Sequence, residues 1–129
     1  MSKLVRASCA LLLLACGTTP DDRPETIDYI VNAILAPQCA QASCHTAVAK
    51  AHRLAFDTVE DAQAAFASPQ NCGMMMCPMI VRGDSEQSDL YLVLTGARNA
   101  MPPVSPLPHA DIYLIQSWID DGAAGYTGP

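Results

Sequence analysis

Cys39-Ala40-Gln41-Ala42-Ser43-Cys44-His45 is the stretch on which the fold turns. Two thiols bracket four small or polar residues, and an imidazole follows the second thiol directly. Three chemistries use such a set. The thiols can close a disulfide across the short loop, sulfur and imidazole can share a metal, or both sulfurs can bond a cofactor that the imidazole then ligates. The segment before it is helical in pattern. Ile27, Ile30, Val31, Ile34 and Leu35 fall on one face at helical spacing. Pro24 suits a first helical position, and Pro37 predicts the stop, immediately before Cys39.

Further along the chain the pattern stays helical, with long loops. A second helix is predicted after Asp57 or Thr58, where Asp57 with Glu60, or Thr58 with Asp61, has the spacing of a capping box. Val59, Ala62 and Phe66 form its apolar stripe. Residues 68–83 read as a loop rich in Pro, Cys, Met and Gly. A third helix is predicted from about Ser85 to Thr95, capped by Asp84 or Ser85 and ended by Gly96. A last helix is predicted over His109 to Asp121, with Ile112, Leu114, Ile115, Trp118 and Ile119 on one face and Gly122 as the stop. Few segments alternate with period two, so sheet content should be low.

At 129 residues the chain has room for one ordinary domain. Residues 1–15 read as a leader: Lys3 and Arg6 come first, and the short apolar run that follows ends in Leu13-Leu14-Ala15-Cys16. That run is a signal-peptide core and falls short of the roughly 20 apolar residues a spanning helix needs. The closing four residues have the form of a bacterial lipobox, which predicts lipidation of Cys16 and a place in the cell envelope, facing the periplasm or the cell exterior. Residues 16–24, with two prolines and no apolar periodicity, read as a tether, and residues 25–125 as the domain. Loss of the two basic leader residues takes the formal charge from −6 to −8. Such an acidic balance argues against nucleic acid as a partner.

Export leaves Cys39, Cys44, Cys72 and Cys77 where disulfides persist, so two disulfides are the default expectation. The second pair repeats the spacing of the first, in Cys72-Gly73-Met74-Met75-Met76-Cys77-Pro78-Met79, but Pro follows it in place of His. A disulfide pinning this loop is the first expectation; a Cu(I) site of thiols and thioethers is the second. His52 and His109 read as solvated loop and helix-end residues. No nucleophile elbow or metalloprotease motif is present.

Two cysteines followed at once by His is the order that attaches haem in c-type cytochromes, although the usual spacer there is two residues and here it is four. Met101, stiffened by Pro102 and Pro103, offers the thioether that commonly completes such a site for electron transfer. The full order is a helix, Cys39–Cys44–His45, a loop and helix, Val81-Arg82-Gly83-Asp84 with Ser88 and Leu90, Met101-Pro102-Pro103, and Ile115-Gln116-Ser117-Trp118-Ile119-Asp120-Asp121-Gly122-Ala123. It resembles the small cytochrome c domains of exported bacterial lipoproteins, including the planctomycete-type cytochrome c family, over nearly all of residues 25–125. The resemblance implies an all-α, cytochrome c-like fold of three to four helices with long loops around one covalent haem c. It implies Cys39 and Cys44 as the thioether cysteines, His45 as proximal ligand and Met101 as distal ligand, with Met79 or one of Met74 to Met76 as competitors for that last role. It places Trp118 where the first and last helices cross. The implied task is electron transfer to a redox partner protein from the membrane anchor, with no catalysis of its own. Two other classes stand beside it: a disulfide-stapled envelope protein with an interaction role, and a zinc site of Cys39, Cys44, His45 and one of Cys72 or Cys77.

Overall fold

Thr26 starts the first helix. Its backbone is extended, and its hydroxyl accepts the Tyr29 N–H at 3.4 Å, so the helix begins at Ile27, three residues beyond Pro24. The structure, a computed structural model, describes residues 21–129. The leader, Cys16 and the tether up to residue 20 lie outside the described residues. The last tether residues are docked: Arg23 pairs with Asp21 and with Asp111, and donates to the Ala110 carbonyl at 2.9 Å.

Helix α1, residues 27–39, passes through Pro37 and ends at Cys39, which corrects the predicted stop. The middle of the helix, Ile30–Leu35, is π-helical, and the Ala36 N–H reaches back five residues to the Val31 carbonyl. A proline in tight α register lacks the N–H and drives its ring at the carbonyl four residues back. The wider turn just before Pro37 opens that register, so the helix continues instead of breaking. Cys39 is therefore placed by a helix end and not by a loop.

Helix α2, Val59–Phe66, carries the Thr58–Asp61 box: the Thr58 hydroxyl accepts the Asp61 N–H at 3.1 Å and donates to its carboxylate at 3.0 Å. Strands β1, Gln70–Asn71, and β2, Met76–Cys77, then pair antiparallel, with Gln70 opposite Cys77 and Asn71 opposite Met76. This ribbon is the one departure from helix among the described elements, so the chain is mainly helical and not purely so. The predicted helix from Ser85 to Thr95 comes in two pieces, a 3₁₀ turn over Ser85–Gln87 and α3 over Asp89–Leu94. Ser88 divides them. Its fully buried hydroxyl donates to the Asp84 carbonyl at 2.9 Å and accepts the Val81 N–H at 2.8 Å, bonds that compete with a helical backbone. Helix α4, His109–Asp120, ends at Gly122 with φ +98°, and the Ala123 N–H closes on the Trp118 carbonyl at 2.7 Å.

One core joins these elements: Ile30, Val31, Ile34 and Leu35 of α1, Ala62 and Phe66 of α2, Leu90 and Leu94 of α3, and Leu114, Ile115, Trp118 and Ile119 of α4. Burying each large aliphatic chain contributes about 1.5–3 kcal/mol. Trp118 is 1% exposed; its indole N–H donates to the Ala124 carbonyl at 3.0 Å, and its ring lies 6.0 Å from that of Phe66. The C-terminal segment returns to the start of α1. The Ala124 carbonyl accepts the Ile27 N–H at 3.1 Å, and Gly125, at φ +84°, passes so close that a Cβ there would sit 2.7 Å from Ile27 Cγ2.

Candidate functional site

The last turn of α1 and the loop after it build one wall of a cavity of about 330 Å³. The Ala40 N–H bonds the Ala36 carbonyl at 3.2 Å, the Cys44 N–H bonds the Gln41 carbonyl at 2.6 Å, and the His45 N–H returns to the Cys39 carbonyl at 3.1 Å. The four-residue spacer is thus wound back on itself, with Cys39 at the cavity and Cys44 on the exposed side. Both thiols are free. Burial, helped by the neighbouring Cys44, pushes the Cys39 thiol up to about 11, so it is un-ionised at neutral pH.

His45 is aimed by its surroundings. Its Nδ1 lies 3.0 Å from the Ala51 carbonyl, so Nδ1 carries the hydrogen and the Nε2 lone pair is left free. The ring meets Phe56 edge-on at 5.5 Å between centroids, and the Phe56 N–H bonds the His45 carbonyl at 2.8 Å. Burial lowers the imidazole below its usual range, against the opposing pull of the Ala51 carbonyl, and so favours the neutral, ligating form. The segment that brings Ala51 into place is strained. Lys50, His52 and Arg53 have φ of +45°, +53° and +66°, a region that costs non-glycine residues on the order of 1–3 kcal/mol each. The turn is held by bonds from Ala51 N–H to the Cys44 carbonyl at 3.1 Å and from Lys50 N–H to the Thr46 carbonyl at 2.8 Å.

Met101 reaches the same cavity from the other side of the chain. Gly96, at φ +77°, turns the backbone after α3, and the Met101 N–H bonds the Val93 carbonyl at 2.9 Å. Of the four methionines in the disulfide loop region, Met79 is buried and lines the cavity, whereas Met74, Met75 and Met76 are exposed and do not. Leu54, Phe56, Leu90 and Leu94 supply the apolar wall. His52, although exposed, borders the cavity as well; His109 opens α4 away from it.

Cys72 and Cys77 form a disulfide, with Cα atoms 5.9 Å apart across the ribbon. They are therefore not free to ligate, and among the described residues no group of three or more His, Cys, Asp or Glu side chains is placed to hold a metal ion. The zinc set of Cys39, Cys44, His45 and a third thiol is not assembled.

Sequence patterns missed the polar part of the wall: Gln70, Asn71, Asp89, Arg98 and Asn99. Asp89, at the start of α3, and Arg98, beyond the turn at Gly96, pair at 2.6 Å, a pairing with no regular spacing to betray it. Burial raises the Asp89 carboxyl above its usual range, with Arg98 opposing.

No protein-family model matches the chain, and no curated protein or solved structure shows significant similarity to it. Among the described residues no helix is long and apolar enough to cross a membrane.

Proposed function

We propose that this chain is an envelope electron carrier holding one covalent haem c, in a fold of cytochrome c type. The observation that carries the reading is that a single cavity, with one apolar and one polar wall, takes in Cys39, His45 and Met101, with His45 Nδ1 tied to Ala51 so that Nε2 is its free ligating atom. The donor set fits the group. A neutral imidazole and a thioether are the pair that suits an electron-transfer iron, and an unbonded thiol stands beside them. The volume falls in the usual range for ligand cavities, about 300–1,000 Å³.

When bound, the haem supplies an iron that exchanges one electron between ferric and ferrous states. The chain's own residues do the rest. Cys39, at the end of α1, would hold the group through one thioether, and Cys44, now on the exposed side of the spacer, would hold it through the other. His45 is held in one tautomer by Ala51 and in one orientation by Phe56. Met101 would offer its thioether to the iron opposite His45, which would leave no site for a substrate, and Leu54, Phe56, Leu90 and Leu94 would keep water from the group. Lipidated Cys16 would hold the domain at the membrane, and its task would be to pass electrons to and from a redox partner protein.

A stapled interaction protein without haem is the second reading, favoured by the one disulfide already closed at Cys72–Cys77. Electrochemistry of the mature protein made with cytochrome c maturation machinery separates the two. A reversible one-electron wave with the absorption of a low-spin His/Met haem is expected, and a colourless, electrochemically silent protein would overturn the haem reading.

A further inference from the structure

Gly73-Met74-Met75-Met76, at the tip of the β1–β2 ribbon, takes no part in the cavity. Met74 is fully exposed, and Met75 and Met76 are 68% and 62% exposed. Methionine ordinarily spends its flexible chain filling gaps in a core, as Met79 does nearby. The other large apolar side chains exposed among the described residues, Val48, Val104 and Tyr113, stand singly and need no account. The backbone beneath the three methionines is already satisfied. Gly73, at φ +92°, makes the bend and gives its N–H to Asn71 Oδ1 at 3.0 Å. The Cys72 N–H bonds the Met75 carbonyl at 2.9 Å, and the Cys72–Cys77 disulfide closes the base. The turn therefore keeps its shape without help from the thioether chains. Their Cα atoms lie within about 7.6 Å of one another. With three rotatable bonds in each side chain, the three sulfurs can be gathered on one point above the tip.

The donor chemistry is narrow. The disulfide has consumed both thiols of the ribbon, and residues 68–81 contain no Asp, Glu, His, Lys or Arg. Arg98, the cation that contacts Cys72 Sγ at the base, is paired with Asp89. What the tip offers is neutral thioether sulfur alone. Ca2+ and Mg2+ require oxygen ligands, and Zn2+ is held by thiolate, imidazole or carboxylate. Thioethers select Cu(I). We propose that Met74, Met75 and Met76 form a Cu(I) site made of thioethers alone, at the tip of the disulfide-closed ribbon and separate from the cavity. The site stands independently of the haem reading. Its exposure and its neutral ligands suit collecting the ion and handing it on.

The test is an anaerobic titration of the full mature chain with Cu(I), supplied as its acetonitrile complex. Cys39→Ser with Cys44→Ser removes the free thiols as competitors. Competition with bicinchoninate reads the affinity, and the methionine ε-methyl NMR signals read the place. One Cu(I) per chain is expected, with the methyl signals of Met74, Met75 and Met76 shifting and those of Met79 and Met101 unmoved. Each single Met→Leu change at 74, 75 or 76 should weaken binding at least about tenfold, and the triple change should abolish it. Leucine keeps the bulk, and all three positions are exposed, so the fold is preserved in these variants. The chain with both thiols intact should show the same methyl shifts once its thiols are saturated, so a misfolded Ser variant would not hide the site. Unmoved signals from Met74 to Met76 in both chains would overturn the assignment. So would binding that survives the triple change, or shifts at Met79 and Met101 in their place. Each of these results would leave the haem reading standing.

Discussion

The chain holds two cysteine pairs with the same four-residue spacer and treats them in opposite ways. Cys72 and Cys77 straddle an antiparallel ribbon, and the register that sets Gln70 opposite Cys77 brings their Cα atoms to 5.9 Å, within bonding reach. Cys39 and Cys44 straddle a helix end. Cys39 belongs to the last turn of α1 and lines the cavity, while the spacer winds Cys44 to the exposed side, and both stay free. Spacing is identical in the two pairs, so the backbone that carries them decides which pair closes and which stays open.

Exchange of the pairs breaks this comparison most directly. Cys39→Ala with Cys44→Ala should abolish covalent haem entirely, whereas Cys72→Ala with Cys77→Ala should leave it attached; mass spectrometry of each denatured protein reads the difference. Met101→Ala comes next. Haem should remain covalently bound, but the axial thioether is lost, so the ferric spectrum should turn high-spin and the reduction potential should fall. In the haem-free chain the open pair itself should be unequal. Cys44 should alkylate at least about tenfold faster than Cys39 at pH 7.5, because burial keeps the Cys39 thiol protonated. The closed pair should show its effect in stability alone: removing so short a loop constraint should cost about 2 kcal/mol in urea denaturation.

The smallest effect concerns pH. His45 has its pKa lowered by folding, so the unfolded chain binds the proton more readily. The haem-free domain should therefore lose stability as pH falls from about 7 through the unfolded histidine range near 6.5. His45→Gln should flatten that slope in pH-dependent melting.

The helices were legible because their apolar stripes and caps are local signals. Thr58 with Asp61 capped α2 as its spacing predicts, and Gly122 ended α4. The cavity's three named lining residues, Cys39, His45 and Met101, were legible through motif order alone. What was not legible arose from compensation between distant or irregular parts. Pro37 reads as a stop, and only the π turn before it lets α1 continue to Cys39. Ser88 reads as an ordinary helical position until its hydroxyl is seen bonding Val81 and Asp84. The left-handed run at Lys50, His52 and Arg53 contains no glycine to announce it, yet it delivers the Ala51 carbonyl that sets the His45 tautomer. The Asp89–Arg98 pair depends on the turn at Gly96, which brings Arg98 back to the start of α3.

The measurement that bears most directly on the central claim is the absorption spectrum of the protein made with cytochrome c maturation machinery, taken before and after denaturation and acidic solvent extraction. A Soret band with sharp reduced-state bands, and haem that stays with the denatured chain, is the predicted result. A colourless protein, or one whose haem leaves entirely with the solvent, would contradict covalent attachment through Cys39 and Cys44.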